Sequence, residues 1–142
     1  MTATRGFTLV ELMAVVAIIA ILASIGYPAY TNYVLRGRIA EATSGLASRR
    51  VEMEQWFQDN RTYATSPRCT EEIREGSFVF RASACDASTY TLEAAGAADG
   101  PMFGFRFTIN ERGTRTSDIT RNGWANPNPN TCWATRPDGS CA

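Results

Sequence analysis

Two hydrophobic patterns follow one another along the chain. From Phe7 to Gly26 the run is almost wholly apolar and 20 residues long, matching the about 20 that a helix needs to cross a bilayer. A short leader, residues 1–6, precedes it and carries one charge, Arg5. Ordinary signal peptides have a shorter apolar core followed by a small-residue cleavage site. Here the small residue, Gly6, stands before the run. A cut at that point would leave the hydrophobic segment on the mature chain. One carboxylate, Glu11, lies inside the segment. A carboxylate in hydrocarbon costs about 2.5–3.5 kcal/mol on insertion scales and needs a partner.

Past Gly26 the pattern becomes amphipathic. Ile39, Ala42, Leu46, Met53 and Phe57 recur close to the 3,4 spacing of one buried helical face. Arg50 interrupts that stripe, its stem lying along the core edge. Arg36, Arg38, Glu41, Arg49, Glu52 and Glu54 supply the polar side, and Trp56 and Phe57 anchor the far end. The reading is one helix of about 50 residues, or ~75 Å. Residues 7–29 form an apolar membrane or core part, residues 30–59 the first element of a head, and the stop falls near Asp59-Asn60. Pro28, with Gly26 beside it, predicts a kink or a local loosening. A helix with one half bare and apolar is soluble only if many copies bundle, which argues for a polymer.

The head, residues 30–142, continues with residues 60–88, which lack a strong period and read as a connecting loop. A short helical turn at Thr70–Glu75 and a short strand in Ser77–Cys85 are its only candidate elements. An antiparallel sheet of three or four strands is predicted over residues 89–120. Tyr90–Ala94 has strand character. In "MFGFRFTIN" Phe103, Phe105, Phe107 and Ile109 alternate onto one face. Asp99-Gly100 marks one hairpin turn and "NERG" a second, leading into Thr114–Thr120. The phenylalanine ladder reads as core packed on the helix. Residues 121–142 are turn-rich, with an Asn-Pro repeat, and read as a loop. Trp124 and Trp133 read as covers of the core, with exposed contact residues as the alternative. The fold class is therefore α+β.

Composition narrows the chemistry. The formal net charge is +0, from 14 basic and 14 acidic residues, and the chain has no His. That removes Ser-His and Cys-His pairs and imidazole metal ligands. No phosphate loop or nucleophile motif is present, so the chain does not read as an enzyme, and no cofactor or metal is expected. The four cysteines have no CxxC spacing, which suits two disulfides in an oxidising compartment. Of the three pairings, loop length favours Cys69–Cys85 and Cys132–Cys141, and the second would hold the tail as a loop.

Arg5-Gly6-Phe7-Thr8-Leu9-Val10-Glu11-Leu12, continuing to Tyr27-Pro28-Ala29-Tyr30, resembles the class III signal of type IV pilins and of type II secretion pseudopilins. The short leader resembles the type IVa class. The resemblance is close over about the first 60 residues; beyond them it is one of architecture. It implies the pilin fold: a long N-terminal helix packed on a small antiparallel sheet, with a disulfide-bounded C-terminal loop. It implies cleavage between Gly6 and Phe7 by prepilin peptidase and N-methylation of Phe7. It implies a chain anchored once in the inner membrane with its head in the periplasm. From there an assembly platform would pass it into an extracellular filament of pilin subunits. No base lies between Phe7 and Leu35, so the nearest cation for Glu11 is the amine that cleavage creates on Phe7. Its own chain could supply that amine at i, i+4, or a neighbouring subunit could. The resemblance implies the neighbour, and implies that the helix melts near Pro28 during assembly.

Two disulfides and the "TCW…GSC" ending resemble PilE-type minor pilins more than a major pilin. The leading expectation is thus a structural subunit of type IV pili, a minor pilin acting in pilus assembly, twitching motility or adhesion. A secretion pseudopilin is one alternative. For its calcium site the last 30 residues offer only Asp118 and Asp138. A DNA-binding competence pilin is another. It would need an exposed basic stripe, and Arg106, Arg112, Arg115, Arg121 and Arg136 are its candidates, with an excess over carboxylates of +2 from residue 101 onward.

Overall fold

The structure, a computed structural model, describes residues 6–141. All of the leader but Gly6, including Arg5, lies outside the described residues. Helix α1, Leu9–Asn60, is followed by a 3-10 turn, Pro67–Cys69, and five strands. These are β1 (Ile73–Glu75), β2 (Phe78–Cys85), β3 (Tyr90–Gly96), β4 (Phe105–Asn110) and β5 (Arg115–Ile119). The chain divides into two units, the first ending at Val34 and the second beginning at Leu35.

In the first unit every described residue from Gly6 to Tyr30 is exposed, although the segment is apolar on all sides. A helix hydrophobic all round belongs in a membrane or in a packed bundle, and α1 is long and apolar enough to cross a membrane. It runs unbroken through Pro28, where the sequence predicted a kink or loosening. Proline removes the donor that the Ser24 carbonyl would otherwise receive. The hydroxyls of Ser24 and Thr31 bond back to Ile21 O at 2.7 Å and Pro28 O at 2.9 Å.

In the second unit, Leu35, Ile39, Ala42, Leu46 and Met53 of α1 share one core with Phe78, Phe80, Tyr90, Leu92, Phe105, Phe107 and Ile109 from the sheet. The strands form an antiparallel meander in the order β1-β2-β3-β4-β5. Alternation fixes the register: Phe107 pairs with Ala94 on β3 and Ser117 on β5, and all three point into the core. The "NERG" turn closes as expected. Asn110 Oδ1 accepts the N–H groups of Arg112 and Thr114 at 3.1 and 2.9 Å, and Gly113 takes φ +78°.

Five expectations need correction. The strand expected in Ser77–Cys85 is present as β2, but the remainder of residues 60–88 is not simply a loop, because it also holds the 3-10 turn and strand β1. The turn sits at Pro67–Cys69 rather than Thr70–Glu75, with Ser66 capping it through Arg68 N→Oγ at 3.3 Å. The sheet consequently has five strands. Phe103 is not in the ladder; it lies in the turn before β4 and is 63% exposed. The arginine on the buried stripe is Arg49, not Arg50. The buried positions 35, 39, 42, 46, 49 and 53 keep the helical period, and at 49 the guanidinium lies 3.9 Å over the Phe80 ring. It also donates to Glu75 Oε1 at 2.7 Å and Gly45 O at 3.2 Å. A charge is tolerated there because an aromatic face, a carboxylate and a carbonyl replace its water. Gly45 is required at this contact, since a Cβ would stand 2.6 Å from Phe80 Cζ.

Below Arg49 the carboxylate of Glu54 accepts from Tyr90 OH at 2.8 Å and Tyr63 OH at 3.1 Å. Burial, then the bonds to Glu54, pushes both phenols above their ordinary range. Cys69 is bonded to Cys85, and Cys132 to Cys141. Trp124 packs edge-on against Phe105 at 5.0 Å, and the Trp133 indole donates to Thr108 O at 2.8 Å. Both cover the core as expected.

Candidate functional site

The start of α1 is set by Thr8. Its carbonyl accepts Leu12 N at 3.1 Å, and its Oγ1 accepts Glu11 N at 3.2 Å. This is the first half of a capping box, in which Thr stands at the cap and Glu three residues on. The T-x-x-E spacing of residues 8–11 was the signal for it, and the apolar run masked it. The capping role places Glu11 in the first turn. There the partial positive charge of the unsatisfied N–H groups favours an anion. Among the described residues Glu11 takes part in no ion pair. Phe7, one helical turn earlier, is 82% exposed. The site is thus an exposed carboxylate on an apolar helix surface, with the residue whose amine is in question close by in sequence. Gly6, Phe7, Glu11 and Pro28 all lie in the first unit, and all are exposed.

The candidate basic residues are spread over the head. Arg106 faces Glu93 and Asp118, each at 3.8 Å. Glu93 is only 5% exposed although it projects from the sheet away from the helix. It is covered by Arg81, whose Nε and Nη2 reach Oε1 at 3.0 and 2.7 Å. That pairing escaped the sequence because Arg81 and Glu93 meet only through the β2–β3 register. Arg112 lies 3.3 Å from Glu111. Arg121 donates to Pro101 O at 2.7 Å, and Arg136 is exposed. Arg115 lies over the Trp133 ring at 4.6 Å. It lines an open groove of about 390 Å³ with Thr43, Ser44, Thr135 and the Cys132–Cys141 bridge. The five do not form one stripe, since two of them are occupied by carboxylates.

Residues 1–27 match the family described as prokaryotic N-terminal methylation motif. Residues 28–101, just over half of the chain, match the family described as type IV minor pilin ComP, DNA uptake sequence receptor. A fimbrial protein of Moraxella nonliquefaciens is 33% identical over 113 residues, 80% of this chain and 71% of that one. The chain belongs to the type IV pilin family. The type IV major fimbrial protein FimA of Dichelobacter nodosus is 29% identical to this pilin over 142 residues, 96% of this chain and 85% of its own. The crystal structure of the Neisseria meningitidis non-core minor pilin PilV shares the fold, with a TM-score of 0.57 at 20% identity over 64% of this chain and 93% of that one. As a type IV pilin the chain is a structural subunit that assembles with other pilin subunits into pili, and its apolar helix is a membrane anchor.

Proposed function

We propose that this pilin is a minor subunit whose assembly is directed by one ion pair. The leader, residues 1–6, is removed by prepilin peptidase between Gly6 and Phe7, and Phe7 is N-methylated. Residues 7–29 then hold the chain in the inner membrane with the head in the periplasm until the assembly platform draws it into the extracellular filament. There Glu11 takes the Phe7 amine of a neighbouring subunit, and the helix yields near Pro28. The observation that carries the reading is the single carboxylate on an otherwise apolar, exposed helix surface, with no cationic partner among the described residues. The matched minor-pilin family and the two disulfides support the minor role. Assembled protein is expected to begin with N-methylated Phe7 and to be substoichiometric to another pilin in sheared filaments. Peptide mass analysis checks both points; Met1 retained in filaments, or this chain as their bulk component, would refute the corresponding half.

The match to a family of DNA uptake sequence receptors favours a second reading, in which this head receives DNA. Arg115 is the candidate best placed, being exposed and engaged with an indole rather than a carboxylate. Duplex binding is then expected to weaken steeply with salt, and Arg115→Ala to flatten the logarithmic slope by about 1. Absence of binding at low salt, measured by fluorescence anisotropy, removes this reading without touching the first.

A further inference from the structure

The Asn-Pro repeat, Asn126-Pro127-Asn128-Pro129-Asn130, is the one sequence motif that neither reading employs. Its place in the fold is the open edge of the sheet. β5 is the last strand in the order, so one row of its backbone groups has no strand to pair with. Such an edge is a template for pairing with another chain. Thr120 N bonds to Gly104 O on the β4 side at 2.9 Å, so by alternation Ser117 and Ile119 direct their N–H and C=O groups outward. Both are met by side chains. Asn130 Oδ1 accepts Ser117 N at 2.9 Å, and its Nδ2 donates to Ser117 O at 2.7 Å. Asn126 Oδ1 accepts Ile119 N at 2.7 Å, and its Nδ2 donates to Ile119 O at 3.3 Å.

A primary amide offers the same donor and acceptor as a peptide group. Proline, lacking N–H, cannot extend a ladder. The repeat therefore runs antiparallel beside β5 and satisfies the edge with side chains where its own backbone could not. Its far end is fastened as well. The Ser117 hydroxyl donates to Cys132 O at 3.0 Å and accepts from Ala134 N at 2.9 Å. No partner can pair with Ser117 or Ile119 while these amides are seated.

We propose that the Asn-Pro repeat is a guard on the β5 edge, and that its removal lets this edge pair with the β5 edge of a second copy of this chain. A second copy is the occupant because every copy carries the same β5 edge at the end of its sheet. The β5 edge against itself is also a self-complementary, isologous contact.

The test uses the full chain in detergent micelles, comparing the wild type, Asn128→Ala as a control, and the Asn126→Ala/Asn130→Ala double variant. At low protein concentration the double variant is expected to exchange the Ser117 and Ile119 amides about tenfold faster or more, with Thr116 and Asp118 still protected. At high concentration protection returns and the protein mass per particle doubles by light scattering, while Asn128→Ala behaves as wild type. Unchanged exchange in the double variant, or no gain in mass, overturns the proposal. If the double variant loses protection throughout β5, the single variants decide. Asn126→Ala should accelerate Ile119 alone and Asn130→Ala should accelerate Ser117 alone; any other pattern overturns the pairing.

Discussion

Glu11→Gln is expected to insert into the membrane normally and yet fail to enter filaments. Two roles for Glu11 have to be separated. As the third residue of a Thr8-capped helix it can serve the helix start, and glutamine serves there as well. As the carboxylate for a neighbour's Phe7 amine it must carry charge, and glutamine does not. Leaving one partner of a buried ion pair unmatched costs about 3–5 kcal/mol, or roughly a hundredfold to a few thousandfold in subunit association. Glu11→Ala removes both roles and is expected to be no less severe. The measurement is the amount of each variant in sheared filaments, relative to its amount in the membrane fraction. If Glu11→Gln incorporates like the wild type while Glu11→Ala does not, Glu11 is a capping residue and the ion pair is wrong.

Phe107→Ala is expected to cost about 3–5 kcal/mol of the stability of the head, a large share of the 5–15 kcal/mol typical of a folded domain. Phe107 is fully buried at the centre of the sheet, its ring 6.2 Å from Phe78 and 6.4 Å from Phe105. Truncation would open a cavity that β3, β5 and the helix cannot all close. Phe103→Ala is the matched control. That side chain is 63% exposed in the turn before β4, and its loss should stay within about 0.5 kcal/mol. Thermal unfolding of the full chain in detergent, followed by tryptophan fluorescence, distinguishes them. Comparable shifts for the two variants would mean that the ladder does pack from Phe103 onward.

That pair of variants also marks where reading by pattern succeeds and where it stops. Phe105, Phe107 and Ile109 could be placed from period 2 alone. Phe103 obeys the same period but falls outside the strand, because the chain turns at Gly104, at φ +87°. Strand β1 was illegible for a related reason. Three residues, two of them charged, carry no period, and they become a strand only because β2 lies alongside. Thr8 was legible in principle, through the T-x-x-E spacing, but the apolar run dominated the reading of that stretch.

By itself the sequence determined the long helix, its change from all-round apolar to one-sided, the isolated Glu11 and the antiparallel strand pattern of the head. Each of these is a local signal, carried by spacing along a single element. Only the tertiary structure decided that Arg49 is the buried arginine, that Glu93 lies beneath Arg81, and that Asn126 and Asn130 close the edge of β5. A charge or an amide is held in one place only where the fold supplies partners for it, and those partners, Phe80 and Glu75, Arg81, Ser117 and Ile119, come from other elements of the chain.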